Sequence, residues 1–166
     1  MVAADTLVLP PPLRDQLVRE AEQASPSEAC GILAGRQQTV ERVFPVRNSA
    51  EEIEPGRGVF RDRATGAASA GRAAVHYYMD PRDQLRVYNE LDALELDVVG
   101  YYHSHTHTEA RPSATDIRLA SDLQVVYLLV GLEDPTRPSV RAWRIAKTDP
   151  ADETGELEEL TLVAGA

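Results

Sequence analysis

Cysteine is all but missing from this chain: Cys30 is the only one in 166 residues. An internal disulfide is therefore excluded, and the composition suits a reducing compartment. Lysine is equally scarce, with Lys147 alone. The 17 basic residues face 27 acidic ones, for a formal net charge of −10. Such a surface repels phosphate backbones and argues against nucleic acid as the main partner. No apolar run approaches the roughly 18 residues that would suggest a membrane span. Residues 1–5 show neither the basic nor the apolar region of a secretory signal. Together these absences predict a cytoplasmic chain with no membrane partner. Two zinc-enzyme signatures are missing as well: there is no His-Glu-x-x-His, and one cysteine cannot supply a Cys-x-x-Cys.

What remains is an ordinary globular composition, 43% hydrophobic and 27% charged, long enough for one domain over residues 1–166. Apolar positions at helical spacing predict a helix over 13–24. Asp80-Pro81, an N-cap followed by proline at the first helical position, opens another that runs to about 96. A third is expected over 114–123. Strands are expected at 6–9, 29–34, 39–46, 75–78, 98–102, 124–130, 139–145 and 157–163, with a turn at 35–38. This irregular alternation predicts an α/β (α+β) fold with a mixed central sheet flanked by helices. The segment 48–74 is different in texture, rich in glutamate and glycine, with one short strand suggested at Val59-Phe60. It reads either as a flexible flap beside a site or as a plain disordered insertion.

The most informative residues are His103-Ser104-His105, then Ser113 and Asp116. On a strand, residues i and i+2 point to the same side, so His103 and His105 can present both imidazoles to one ion. Asp116 supplies a third ligand if the chain turns back. Three N/O ligands with a fourth position for water is the pattern of a catalytic zinc. Blander readings stand beside this one. The histidines also read as a loop patch, and Ser113-Ala114-Thr115-Asp116 resembles a capping box that merely starts a helix. His107 continues the i, i+2 series but is better read as a loop or substrate-side residue. His76 reads as structural. Cys30 reads as a small buried hydrophobe, with a ligand or a nucleophile as the alternatives.

His-x-His, seven residues, Ser, two residues and Asp resembles the JAMM (MPN+) metallopeptidase motif at every specified position. Glu28-Ala29-Cys30-Gly31-Ile32-Leu33-Ala34-Gly35 is similar to that family's Glu-x-Cys-Gly-x-Leu-x-Gly segment. The resemblance extends over about residues 7–145. Many members carry proline directly after the second histidine, where this chain has Thr106. The loop 106–112 instead resembles that of short bacterial sulfur-carrier peptidases.

The resemblance implies a JAMM/MPN fold of cytidine-deaminase-like architecture. It also implies one catalytic Zn2+ held by His103, His105 and Asp116, with Glu28 as general base and Ser113 as hydrogen-bond donor to the oxyanion. Without the family, Glu28 would read as a solvated turn carboxylate. The implied substrate is a ubiquitin-like sulfur-carrier protein, cleaved at the amide bond after a C-terminal Gly-Gly tail, with cysteine as the expected product. An isopeptidase acting on lysine adducts and a non-catalytic MPN scaffold are the alternatives.

Overall fold

The computed structural model describes residues 4–53, 59 and 72–165. In chain order the elements are β1 (Thr6–Val8), α1 (Pro11–Ala24), β2 (Cys30–Arg36), β3 (Thr39–Val46), α2 (Pro81–Leu94), β4 (Asp97–His105), α3 (Ala114–Leu119), β5 (Val126–Gly131), β6 (Ser139–Ala146) and β7 (Glu156–Val163). Single 3-10 turns occupy Ala50–Glu52 and Arg72–Ala74. The seven strands form one mixed sheet in the order β1-β3-β2-β4-β5-β6-β7, closed into a barrel because β1 pairs with both β3 and β7. The mixed sheet and flanking helices agree with the α/β (α+β) expectation.

β4 is central. It runs antiparallel to β2, with Cys30 opposite His103, and parallel to β5, with His103 beside Leu129 and His105 beside Gly131. Its alternation divides the molecule. Tyr102 points into a core with Leu7, Leu17, Ala21, Leu33, Leu128 and Val130, so that α1 closes one side. Tyr101 points the other way, toward Ile32, Phe44, Val87 and Leu91, where α2 packs. Each fully buried aliphatic side chain contributes about 1.5–3 kcal/mol. His103 and His105 share parity with Tyr101 and therefore emerge at the end of the α2 side. That side is where the site must form.

Several elements differ from their sequence expectations, each for a local reason. α1 begins at Pro11 rather than Leu13, because Pro11 and Pro12 fill first-turn positions whose N–H groups have no helical partner. β2 continues through Gly35 and Arg36, and Gln37, at φ 56°, makes the turn. Residues 75–78 are not a strand. Their neighbourhood is organised by one side chain, since Asn48 Oδ1 accepts the N–H of Tyr78 while the Tyr78 carbonyl accepts the N–H of Ser49. Among the described residues, strand pairing there is limited to a single bridge between Asn48 and Met79. α3 stops at Leu119, short of 123. The Lys147 ammonium takes the carbonyls of Arg118 and Ala120, which ends the helix in place of another turn.

The 48–74 segment is only partly described. Its two described ends are tied down: Ala50 and Ala73 are buried together, packed by Ile53, Val59 and Tyr78. The remainder of the expected flap, and Phe60 of the suggested strand, lie outside the described residues. Among the described residues no helix is long and apolar enough to cross a membrane.

Candidate metal centre and active site

The end of β4 holds both histidine rings, nearly fully buried. The chain then loops through 106–112 and returns as α3, whose first turn carries Asp116. Ser113 is the N-cap: its hydroxyl accepts the N–H of Asp116 at 3.1 Å, and its own N–H donates to Asp116 Oδ2 at 2.8 Å. The capping box is therefore real, and it is also what aims the carboxylate. Asp116 Oδ2 lies 3.0 Å from His103 Nε2 and 3.1 Å from His105 Nε2, and the two Nε2 atoms are 3.2 Å apart.

This triangle fits a metal ion. Tetrahedral bonds of about 2.0–2.1 Å to zinc require donors about 3.3 Å apart. The donor chemistry agrees. Glu109 contributes only a carbonyl oxygen to its 2.9 Å contact with His105 Nδ1, so Nδ1 must carry the hydrogen. The Nε2 of a neutral His105 is then a bare lone pair facing a carboxylate oxygen and a second imidazole, a contact between acceptors that a cation resolves. His103 is oriented by Tyr77, whose ring stacks on it with centroids 4.2 Å apart and planes 24° apart. Burial works against protonating His105, but Asp116 and the Glu109 carbonyl outweigh it and hold the imidazole above its ordinary value. Burial likewise disfavours a charged Asp116, yet the two histidines outweigh it and hold the carboxyl well below the usual carboxylate range.

Glu28 reaches the same place from the other side. The β2–β4 ladder extends beyond Cys30 through Ala29, whose N–H donates to Ser104 Oγ at 2.8 Å and whose carbonyl accepts the Ser104 N–H at 3.0 Å. Continued by one residue, that register sets Glu28 opposite His105, on the same face of the sheet. Glu28 is pinned at its N–H by the Ala73 carbonyl and at its carbonyl by the Asn48 amide. The residue is only 4% exposed. Glu28 Oε2 is one of two buried side-chain oxygens without a partner among the described residues, Gln38 Oε1 being the other. Burial first, then the charge of Asp116, pushes the Glu28 carboxyl up to about 8, with His105 opposing. A cation bound at the adjoining three-atom cluster would draw that value back down, toward a carboxyl able to accept and release a proton near neutral pH.

The structure thus brings His103, His105, Asp116, Ser113 and Glu28 to one locality. Cys30 is close but spent otherwise. Its thiol is buried, donates to the Val46 carbonyl at 3.3 Å, and is pushed up to about 12 by burial and by Glu28. A thiol so held is packing and no nucleophile. His107 is exposed and stands outside the three-ligand group. The His76 carbonyl accepts the Asn48 amide. Sequence reasoning passed over Asn48, Ser104 and Tyr77. None has a spacing signal, and only tertiary pairing between segments distant in the chain reveals them.

Comparison with known proteins identifies the family. The profile of prokaryotic homologs of the JAB domain matches residues 10–146. The chain is 37% identical over 142 residues to the CysO-cysteine peptidase of Mycobacterium tuberculosis, covering 84% of this chain and 82% of that one. It is 31% identical over 122 residues to the desampylase of Haloferax volcanii, covering 70% and 73%. A Desulfitobacterium hafniense protein solved in solution superposes with a TM-score of 0.71 at 30% identity, over 95% and 91% of the two chains. A JAB1/MPN domain protein from Archaeoglobus fulgidus, only 16% identical, shares the fold over 97% of this chain and 99% of its own, with a TM-score of 0.50. Fold, motif and profile converge: this chain belongs to the prokaryotic JAB-domain family, the JAMM (MPN+) group.

Proposed function

We propose that this protein is a zinc-dependent metallopeptidase that hydrolyses the amide bond after the C-terminal Gly-Gly of a ubiquitin-like sulfur-carrier protein, releasing cysteine in the cytoplasm. The observation that carries the reading is the convergence of three potential metal-ligand atoms beside a buried carboxylate that has, among the described residues, an unpartnered oxygen. The identity of the carrier adduct leans on the relative named CysO-cysteine peptidase.

His103, His105 and Asp116 would hold the ion, which when bound acts as a Lewis acid and makes its water a stronger nucleophile near neutral pH. Glu28 takes the proton of the attacking water and returns it to the departing amine. The Ser113 hydroxyl, already accepting from the Asp116 N–H, has its own proton free to point elsewhere, and donates it to the oxygen on which charge develops. An extended Gly-Gly tail has no side chains to exclude it from a narrow site.

The test is incubation of the purified zinc-loaded protein with a carrier–cysteine adduct and, separately, with a carrier joined to a lysine side chain. Release of cysteine is expected, and Glu28→Ala should retain zinc while losing turnover. Cleavage of the lysine adduct alone would establish the second reading, an isopeptidase, which the relative named desampylase favours. A protein that binds no zinc and cleaves neither would be a non-catalytic scaffold.

A further inference from the structure

The loop between His105 and Ser113 is held from outside the site by a residue far along the chain. Trp143, on β6, is almost fully buried and packs with Ala110, Leu129 and Leu157. Its indole N–H donates to the Ala110 carbonyl at 2.9 Å. Two guanidinium groups lie over its ring, Arg141 at 4.5 Å and Arg111 at 5.3 Å from the centroid. Arg141 is itself fixed by two bonds to the Glu159 carboxylate, at 2.8 and 2.9 Å. Ala110 is completely buried, seated directly on β5 because Gly131 leaves room. A Cβ at Gly131 would lie 2.6 Å from the Ala110 nitrogen and 3.1 Å from the Glu109 carbonyl carbon.

The consequence falls one residue upstream. The Glu109 carbonyl accepts both the Arg111 N–H, at 2.8 Å, and His105 Nδ1–H, at 2.9 Å. Its direction is set by the peptide plane of the 109–111 turn, and that turn is locked by Trp143 and Gly131. A hydrogen bond to Nδ1 selects the imidazole tautomer whose Nε2 is free for a metal and orients the ring.

We propose that Trp143 is a positioning residue for the metal ligand His105, acting through its indole N–H bond to Ala110 and thence through the Glu109 carbonyl. The inference rests on the metal-ligand reading of His105 and deepens it: the β6 indole tunes the affinity of the site without touching ligand or substrate.

The coupling is reciprocal by thermodynamic necessity, which makes the wild-type protein its own probe. Trp143 is the only tryptophan in the chain, so one indole N–H resonance reports it unambiguously. Saturating zinc is expected to slow solvent exchange of that proton at least about tenfold. Trp143→Phe keeps an aromatic ring and deletes the donor. It should weaken zinc affinity, measured by chelator competition, about tenfold, the lower end of what outer-sphere partners contribute. It should also move the His105 Nδ1–H resonance. Leu157→Ala, which loosens the same cluster without a hydrogen bond to the loop, should lower thermal stability and leave zinc affinity within twofold. The proposal is overturned if zinc leaves indole exchange unchanged, if Trp143→Phe binds zinc within twofold of wild type, or if Leu157→Ala weakens zinc as much. Should Trp143→Phe fail to fold, the exchange measurement on the unaltered protein still decides. A wild-type chain that binds no zinc would overturn this inference together with the proposed function, whereas zinc binding without coupling would remove this inference alone.

Discussion

The two halves of the site are built on opposite principles. The proposed ligand half, His103, His105 and Asp116, is tightly converged: each donor atom has the other two within 3.2 Å, and Asp116 is further held by the Ser113 N–H. The proposed base half is a single carboxylate, Glu28, clamped firmly at its backbone and left, among the described residues, with an unpartnered buried oxygen at its tip. The first half has each side chain fixed by a named neighbour, Tyr77 on His103, the Glu109 carbonyl on His105 and Ser113 on Asp116. The second is held by the rest of the fold against its own electrostatic preference. Metal affinity should therefore live in the β4–loop–α3 hairpin, and proton transfer in the junction of β2 with the 3-10 turn at Arg72–Ala74.

The largest expected effect breaks the ligand half alone. Asp116→Asn keeps an oxygen that can accept the Ser113 N–H, so the start of α3 should persist while the ligand charge is lost. Zinc affinity should fall beyond the roughly 100-fold upper range for outer-sphere changes, taking activity with it. Titration against a chelator checks this, with circular dichroism confirming the fold. Affinity within tenfold of wild type would remove Asp116 from the ligand set.

Ser113 tests the seam between the halves, because it has two jobs. As an N-cap, Ser113→Ala should reduce stability by about 1 kcal/mol. As a donor to the developing oxyanion, it should also reduce kcat by about 100- to 1,000-fold with KM little changed. A lowered Tm with unaltered kcat would leave Ser113 as a cap and nothing more.

The halves were also unequally visible in the sequence. The ligand half lies within fourteen consecutive residues, 103–116, where strand periodicity and a capping signature are both local rules. β4 runs three residues past its expected end and so carries both histidines within the strand, while α3 begins where the capping signature set it. Glu28 precedes His103 by 75 residues, and no periodicity relates them. Only the family resemblance singled it out, and only the β2–β4 register explains it. The failures have the same origin. Residues 75–78 have strand-forming composition, but Asn48 spends its side chain on their backbone, and α3 ends where Lys147 arrives from beyond β6. Long-range capping of this kind overrides local propensity and leaves no pattern in a window of ten residues.

The smallest effect sharpens the comparison most, because it measures the strain in the base half directly. In metal-free protein the Glu28 carboxyl is pushed from 4.5 to about 8. The folded state therefore binds this proton more tightly than the unfolded chain does. Between these values the unfolded state carries fewer protons at this group, so its contribution to stability is complete below about 4.5 and is lost as pH rises to about 8. Glu28→Gln removes the titration while preserving shape. In chelator-treated samples the two proteins should be nearly equally stable at the acid end of that window. The variant should become the more stable by on the order of 1–3 kcal/mol at its alkaline end, a conservative share of what a shift this large implies. Denaturant unfolding at several pH values reads the difference, which includes the coupling of Glu28 to His105 as well as its own titration. Parallel stability curves would mean that Glu28 is not held against its charge, and the asymmetry between the two halves would disappear with it.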